Sequence, residues 1–357
     1  MGDGPFFESL VDNGIVRALT AAVLTINGAG VTLDVLGTGN MFLSLLRETF
    51  RGASGWSFTA IISSGTTTPG EGDIHNLLEN ILNSLLPVST MYYAVLSQLE
   101  VSLLDIKDLQ TTTLFKQSKI FKAWKSFTDL VEERLKAKKY FDSEECVSVK
   151  ACDNIECGGI RKKKAFRRCV ACHRRYYCSL NCQTVDWRAG HQNPEPANLS
   201  TRSSSFMRHL LQHDYEEAKR DISLRQLAFM NEHPAVDFYT IFDYCDGPGL
   251  IEIIPIPVPD SSQNAIGLME ALWMDHRARM SESSGRLDLH FMVVDEGREV
   301  HSRCIPLQSN ISEVRDGLSC LAREIPQGTD ISQLEQLFPE LYKQFQAILN
   351  TKVVEIH

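Results

Sequence analysis

The chain has 357 residues, of which 43% are hydrophobic and 23% are charged, and this composition is typical of a folded globular protein. No apolar stretch reaches the roughly 18 residues that cross a bilayer, and the first residues lack the basic and apolar pattern of a signal peptide. The sequence therefore predicts an intracellular protein of the cytoplasm or nucleus that does not associate with a membrane.

Residues 1–145 carry apolar side chains at helical spacing in several successive segments. Two of these segments are Thr90–Leu109 and Lys119–Tyr140, and in the second the residues from Trp124 to Leu135 form one apolar stripe. Short turns separate the predicted helices, although no sequence repeat is visible. We therefore expect a helical, solenoid-like N-terminal region.

The C-terminal half of the chain changes character at about residue 236. A polar linker, Asn193–Ser205, precedes a predicted helix at Phe206–Glu232, which we expect to act as a helical connector over residues 202–235. Residues 236–357 are predicted to form a small α+β region. The predicted strands are Leu250–Ile256, Leu287–Val294 and Glu299–Leu307, and the last predicted helix carries apolar residues from Leu334 to Ile348. The fold class is therefore α+β with several domains.

Positive charge is concentrated in one part of an acidic chain. The formal net charge is −9, yet the stretch Gly158–Arg175 contains eight Lys or Arg residues and no acid. Such a stretch is compatible with nucleic-acid binding or with a solvated loop whose cations balance nearby thiolates. We favour the second interpretation because the stretch lies within a cysteine cluster.

Six of the ten cysteines lie between positions 152 and 182. They form the pairs Cys152-x4-Cys157, Cys169-x2-Cys172 and Cys178-x3-Cys182, and His191 follows. Without a secretory signal, such a cluster indicates metal binding and not disulfides. Seven donors exceed one tetrahedral zinc site, so the pattern predicts two Zn²⁺ ions, with the first and third pairs sharing one of them.

The motifs Arg168-Cys-Val-Ala-Cys172 and Tyr176-Tyr-Cys-Ser-Leu-Asn-Cys182, with Gln183-Thr-Val-Asp-Trp187 after them, resemble a MYND-type zinc finger. The resemblance covers residues 150–196. The flanking stretches Leu85–Tyr93 and Leu287–Val294 are similar to fungal MYND-domain-containing proteins.

This resemblance implies a cross-braced finger. The first zinc is then held by Cys152, Cys157, Cys178 and Cys182. The second is held by Cys169, Cys172 and His191. The family completes the second site with a cysteine four residues after the histidine, where this chain has Glu195. Glutamate is an oxygen ligand for zinc, and Cys146, His209 and His213 are alternative donors. The second site is expected to be the weaker one, or empty.

The family also implies a function in protein binding. MYND fingers bind proline-rich peptides beside a Gln and a Trp four residues apart, and Gln183 and Trp187 match that pair. The alternative role of Trp187 is to pack the short finger helix. No methyltransferase, hydrolase or metalloprotease motif is present, so we predict no catalytic residue and no enzyme activity.

The sequence therefore predicts an interaction adaptor. An enzyme located outside the finger and nucleic-acid binding through Gly158–Arg175 are the alternatives.

Overall fold

The computed structural model describes residues 79, 82–83, 86–105, 116, 121–143, 146, 149–171, 175–189, 201–234, 236–245, 249–256, 276–295 and 300–357. Residues 1–78, which make up most of the predicted N-terminal helical region, lie outside this set. The solenoid-like arrangement therefore stays a prediction.

Three described helices precede the cysteine cluster along the chain: α1 (Leu86–Ser89), α2 (Tyr93–Asp105) and α3 (Phe121–Asp142). Helix α3 buries an apolar stripe that recurs every three or four residues and includes Trp124, Phe127 and Val131. It ends two residues later than the predicted segment Lys119–Tyr140, whose first two residues lie outside the described set. Helices α2 and α3 pack against each other and against the long helix described below.

The cysteine-rich segment, residues 149–189, contains two short antiparallel ribbons and one helix. Its elements are β1 (Val149–Ala151), β2 (Ile160–Lys162), β3 (Arg167–Arg168), β4 (Tyr176–Tyr177) and α4 (Leu180–Arg188). Strand β1 pairs with β2, and β3 pairs with β4. A single 3-10 turn, Lys163–Ala165, connects the two ribbons.

Helix α5 (Thr201–Glu232) has 32 residues and is about 48 Å long. The predicted polar linker extended to Ser205, but the residues from Thr201 onward are already helical. Arg202 in this first turn donates a 2.6 Å hydrogen bond to Asp142 of α3. The predicted connector also has a larger role, because its side chains enter two hydrophobic cores.

Seven strands of the C-terminal region form two sheets. They are β5 (Phe238–Asp243), β6 (Leu250–Pro255), β7 (Leu287–Asp288), β8 (His290–Asp295), β9 (Val300–Cys304), β10 (Leu307–Ser309) and β11 (Glu355–Ile356). The larger sheet has the order β6-β5-β8-β9, in which β5 and β8 are parallel and the other pairs antiparallel. The smaller antiparallel sheet has the order β11-β10-β7.

Two strands that the sequence predicts as continuous are each divided between the two sheets. The first gives β7 and β8, and the second gives β9 and β10. Pro306 lies between β9 and β10, and proline has no N–H with which to continue a ladder of hydrogen bonds. The chain therefore changes sheets at this point.

Three helices, α6 (Glu313–Glu324), α7 (Leu334–Leu337) and α8 (Pro339–Leu349), complete the C-terminal region. They enclose a second core with the C-terminal half of α5, in which Leu227, Leu321 and Phe345 are buried. The sequence predicted one helix from Leu334 to Ile348. The structure breaks it, because Pro339 is favoured at the start of a helix and disfavoured inside one. Among the described helices, none is long and apolar enough to cross a membrane.

A buried ion pair joins α3, α5 and the end of β5. Arg134 is 2% exposed, and its guanidinium donates two hydrogen bonds, of 2.9 and 3.0 Å, to the Asp214 carboxylate. The Tyr244 hydroxyl donates a third hydrogen bond, of 2.8 Å, to the same carboxylate. Burial opposes the ionisation of Asp214, but hydrogen bonds from His213, Tyr244 and Arg134 and the charge of Arg134 outweigh it and lower the pKa. Loss of one partner of such a pair costs roughly 3–5 kcal/mol.

A second buried polar group is a pair of histidines between α5 and the sheets. His290 Nδ1 lies 2.8 Å from His357 Nε2, and His357 Nδ1 lies 2.9 Å from Gln212 Oε1. Gln212 Nε2 donates to Glu216 and to the Glu355 carbonyl, so its Oε1 is the accepting atom. His357 therefore carries its proton on Nδ1, and His290 donates from Nδ1 to His357. The His290 Nε2 atom is buried, unprotonated and without a hydrogen-bond partner among the described residues.

This arrangement predicts a loss of stability in acid. Burial lowers the pKa of His290 to about 4, against 6.5 for a free side chain, so the unfolded chain takes up this proton first as the pH falls. Between pH 7.5 and pH 5 we expect His290 to account for a loss of about 2 kcal/mol in the free energy of unfolding. The test compares urea unfolding at both pH values for the wild type and His290→Gln.

Between pH 7.5 and pH 5, the free energy of unfolding should fall by about 2 kcal/mol less in the His290→Gln variant than in the wild type. His233→Gln is the matched control, because it makes the same replacement at a side chain that is 52% exposed. Equal pH dependence in all three proteins would contradict the assignment of a neutral, buried His290.

Candidate metal centre

Four cysteine sulfurs from separate parts of the cysteine-rich segment meet in one cluster. The Sγ atoms of Cys152, Cys157, Cys178 and Cys182 all lie within 4.8 Å of one another. The Cys157–Cys178 and Cys178–Cys182 distances are both 3.4 Å. A tetrahedral zinc ion with Zn–S bonds of about 2.3 Å requires sulfur separations of about 3.8 Å. The cluster therefore fits one Zn²⁺ ion held by four thiolates.

The first two ligands lie on either side of a tight loop. Cys152 N donates to the Gly159 carbonyl at 2.8 Å, and Cys157 N donates to the Asn154 carbonyl at 3.0 Å. The Asn154 side chain accepts a further backbone hydrogen bond from Glu156, which closes a local turn. These backbone hydrogen bonds help to shape the loop from residue 152 to residue 157, which carries both ligands.

The other two ligands lie at the start of helix α4. Ser179 is the N-cap of this helix, and its hydroxyl accepts a 3.1 Å hydrogen bond from Cys182 N. Cys178 lies just before the cap and Cys182 in the first turn, so a single capping interaction brings both sulfurs to the same side. The spacing Cys178-x3-Cys182 is therefore explained by strand β4 entering a capped helix.

The electrostatics of the cluster favour a bound cation. Burial raises the pKa of Cys152. Burial also opposes the ionisation of Cys182, but hydrogen bonds from Ser179 and from neighbouring cysteines lower its pKa to about 7. One thiolate therefore forms readily, and a metal ion supplies the charge that deprotonates the remaining thiols.

A buried carboxylate holds this cluster to the C-terminal region. Asp186 of α4 accepts hydrogen bonds from Arg175 at 2.9 Å, from the Tyr177 hydroxyl at 2.5 Å and from Arg279 at 3.2 Å. Burial and the hydrogen bond to Asp186 raise the pKa of Tyr177, so its hydroxyl stays protonated and donates. Arg279 also donates to the Asp153 carbonyl at 2.9 Å, next to the ligand Cys152.

A second arginine holds the same loop from another side. Arg286 donates through Nη2 to the Ile155 carbonyl at 2.8 Å and through Nε to the Ser283 carbonyl at 3.1 Å. Gly158 has a positive φ of 58°, and a Cβ atom there would collide with the Arg286 guanidinium. The backbone conformation therefore favours glycine at this position, and a larger residue would also displace the Arg286 guanidinium.

Residues 150–194 match the MYND finger family. This match spans both cysteine pairs of the sulfur cluster and the loop that Arg279 and Arg286 hold. Residues 150–194 form a MYND zinc finger. The match agrees with the predicted finger and metal binding, and MYND domains are generally associated with protein interaction.

No curated protein matches the chain, and no solved structure matches it. The predicted resemblance of the flanking stretches to fungal MYND-domain-containing proteins is therefore unsupported.

The predicted second zinc site of the MYND finger falls mainly outside the described residues. Of its predicted ligands only Cys169 is described, and it is buried. Cys172, His191 and Glu195 lie outside the described set. Gln183 Nε2 approaches Cys169 Sγ to 4.0 Å, which is long for a hydrogen bond from an amide to sulfur.

The alternative donors for that site have positions elsewhere. His209 stacks on Tyr140 with 5.7 Å between ring centroids, and His213 lies 3.3 Å from Asp214. Both histidines are therefore packed within the helical body, where α3 meets α5. Cys146 is half-buried, and burial raises its pKa.

The outer face of helix α4 carries the predicted peptide-binding pair. Gln183 is half-buried and Trp187 is 39% exposed, while Leu180 on the same face is 61% exposed. Residues 180, 183, 184 and 187 share one side of a helix because they are separated by three or four positions. Asp186 lies on an adjoining, buried side, so α4 is held through Asp186 while Leu180, Thr184 and Trp187 are exposed.

Sequence reasoning did not identify Asp186, Arg279 and Arg286. A charged residue within a short helix has no pattern that distinguishes a buried partner from a solvated one. Arg279 contacts Asp186, which is 93 positions away in the sequence, and Arg286 contacts Ile155, which is 131 positions away. Only the tertiary structure brings them together.

We expect the Cys178 thiolate to be essential for zinc binding. Because a structural zinc supplies about 10–16 kcal/mol of folding free energy in small fingers, Cys178→Ser should lose about one zinc per chain and reduce soluble yield. The measurement is the zinc-to-protein ratio of purified protein by mass spectrometry of the metal. Cys320→Ser is the control, because Cys320 is exposed and outside the finger. Full zinc content in Cys178→Ser would exclude Cys178 as a ligand.

Proposed function

We propose that this protein is an interaction adaptor whose MYND finger docks a proline-rich segment of a partner protein on the outer face of helix α4. The observation that carries the proposal is the pairing of an exposed Trp187 with Gln183 on a helix whose other side is fixed by Asp186. An aromatic face suits a polyproline segment, which is already extended and loses little conformational entropy on binding.

The partial exposure of Trp187 supports this role. The side chains that pack on the zinc cluster are Tyr177 and Phe166, which are buried or half-buried around the cysteines. Trp187 remains 39% exposed and lies beside exposed Leu180. Aromatic anchors of this kind contribute much of the binding energy at protein interfaces.

The adaptor has no catalytic role in this proposal. Four thiolates saturate the coordination of zinc and leave no position for water or substrate. The metal is therefore assigned a structural role. An enzyme in the C-terminal region remains the alternative, and it would retain its activity after deletion of residues 150–196.

The finger is also proposed to hold a second Zn²⁺ ion through Cys169, Cys172 and His191, with Glu195 as the fourth ligand. The buried Cys169 and the nearby Gln183 amide support this assignment. Zinc thiolates require reduced cysteines, so the proposal places the protein in the cytoplasm or the nucleus, where thiols stay reduced.

Trp187→Ala should weaken the binding of proline-rich peptides by about 30-fold, equivalent to about 2 kcal/mol, because it removes the aromatic anchor. The probes are proline-rich peptides that wild-type protein selects from a synthetic array, measured by fluorescence anisotropy. Leu104→Ala is the matched control, because Leu104 is an exposed apolar residue on helix α2. Equal affinities for wild type and Trp187→Ala would refute peptide docking on the outer face of α4, provided that the zinc contents agree.

Glu195→Cys should tighten the second zinc, because thiolate is a stronger donor to zinc than carboxylate. In a chelator titration we expect two phases of zinc release from the wild type, or a ratio near one zinc per chain. The variant should release about two zinc ions in one tight phase. Two equally tight ions in the wild type would show that a residue other than Glu195 completes the site, and Cys146, His209 and His213 would be tested first.

A further inference from the structure

A band of positive charge crosses the MYND finger. We define the cationic ridge as six exposed side chains on β2, the 3-10 turn and β3: Arg161, Lys162, Lys163, Lys164, Arg167 and Arg168. No acidic residue interrupts them along the chain. They follow one another along β2, the 3-10 turn and β3.

The finger does not compensate this charge. Within the described part of the chain, no acidic side chain forms an ion pair with Arg161, Lys162, Lys164 or Arg167. The strand register even places Arg161 opposite Lys150, and like charges in this position are unfavourable.

The acids of the finger are used elsewhere. Residues 149–189 contain ten Lys or Arg and three Asp or Glu, and a zinc ion with four thiolates adds a formal charge of −2. Two of the three acids, Asp153 and Asp186, are committed: Asp153 to the Tyr176 backbone N–H, and Asp186 to Arg175 and Arg279. The positive charge of the ridge therefore exceeds what the thiolates balance.

The ridge leads directly to the outer face of helix α4. Arg168 immediately precedes Cys169, whose sulfur lies 4.0 Å from the Gln183 amide of that face. Val170, which follows Cys169, is 80% exposed. Arg168, exposed Val170 and the Gln183 side of α4 therefore lie around buried Cys169, and a partner that binds across them needs both apolar and acidic groups.

These features fit a polypeptide better than a nucleic acid. Single-stranded nucleic acids are bound through bases that stack on exposed aromatic rings. On the two ribbons that carry the ridge, the Tyr176 ring is covered by the ammonium groups of Lys150 and Lys163, each 5.8 Å from its centroid. Phe166 packs against the zinc cluster. The net charge of −9 also repels a long polyanion, whereas a short acidic segment meets mainly the ridge.

We infer that the cationic ridge binds acidic residues of the same partner segment that docks on helix α4. This inference rests on the proposed function and specifies its partner as a peptide with an apolar anchor and a neighbouring acidic run. Cys169 lies eight positions after Arg161, and an extended peptide advances about 3.3 Å per residue. The acidic run therefore lies within about eight residues of the anchor.

The experiment uses the full-length protein and fluorescent synthetic peptides at 150 mM salt. The probes are the proline-rich peptide that wild-type protein selects from the array, with five Glu or five Gln appended at either end. Decaglutamate alone and a 20-nucleotide single-stranded DNA are added as separate probes. The ridge variant is Lys162→Gln/Lys164→Gln/Arg167→Gln, which leaves the Lys163–Tyr176 contact intact. The control variant is Lys122→Gln/Lys136→Gln/Lys139→Gln, which removes the same charge from the exposed surface of helix α3.

We expect wild type and the control variant to bind one Glu-tagged peptide about tenfold more tightly than its Gln-tagged counterpart. The preference should fall to about twofold or less in the ridge variant and should decrease with added salt. Equal affinities of the Glu-tagged and Gln-tagged peptides for wild type would overturn the inference. Tighter, ridge-dependent binding of DNA than of decaglutamate would also overturn it, in favour of a nucleic-acid site.

The same measurements separate this inference from the proposed function. If Trp187→Ala weakens the binding of both tagged peptides while the preference for Glu is absent, docking on the outer face of α4 is supported and the ridge inference fails. If decaglutamate binding depends on the ridge while Trp187→Ala has no effect on any peptide, docking on the outer face of α4 is refuted. The ridge is then supported as a site for acidic peptides alone.

Discussion

Burial of helix α5 is the interaction on which the body of the protein depends. Its N-terminal half supplies Phe206, Leu210 and Leu211 to the core shared with the preceding helices and the larger sheet. Its C-terminal half supplies Leu227 to the core shared with α6 and α8. Because one continuous helix enters both cores, neither core can rearrange without moving the other. The buried pair of Arg134 and Asp214 then fixes the rotation of α5 relative to α3.

The MYND finger has a different source of order. Its four clustered sulfurs and two short ribbons bury few apolar side chains, so bound metal takes the place of a hydrophobic core. The finger nevertheless does not stand apart from the body. Buried Asp186 and the zinc loop both receive hydrogen bonds from Arg279, and the loop also receives one from Arg286. The element that binds zinc is therefore also the element that contacts the C-terminal region.

The parts of the structure that could be predicted from the sequence are those with local causes. The pairs Cys152-x4-Cys157 and Cys178-x3-Cys182 depend on a tight turn and a capped helix, and both are encoded within a few residues. The apolar stripe of α3 is local in the same sense. Pro306 and Pro339 also carried a local signal, because a residue without an N–H interrupts a ladder of hydrogen bonds or begins a helix. The apolar periodicity across each proline nevertheless predicted one continuous strand and one continuous helix.

Long-range features could not be predicted in this way. The His290–His357 pair joins residues 67 positions apart, and the Arg134–Asp214 pair joins residues 80 positions apart. Each depends on how helices and sheets assemble and not on any pattern near the residues concerned. The role of α5 was underestimated for the same reason, because a connector and a central helix share the same periodicity and differ only in what packs around them.

The two arginines that hold the zinc loop also determine how the finger is aimed. A finger on a free tether samples many directions, and a partner bound to it inherits that freedom. Here rotation of the finger would break the hydrogen bonds from Arg279 to Asp153 and from Arg286 to Ile155, each shorter than 3 Å. The side of α4 that carries Trp187 therefore has a fixed orientation relative to the four-stranded sheet. A second molecule docked there would be held in a defined orientation, so that its distance from any site on the body is set by the fold and not by the length of a linker.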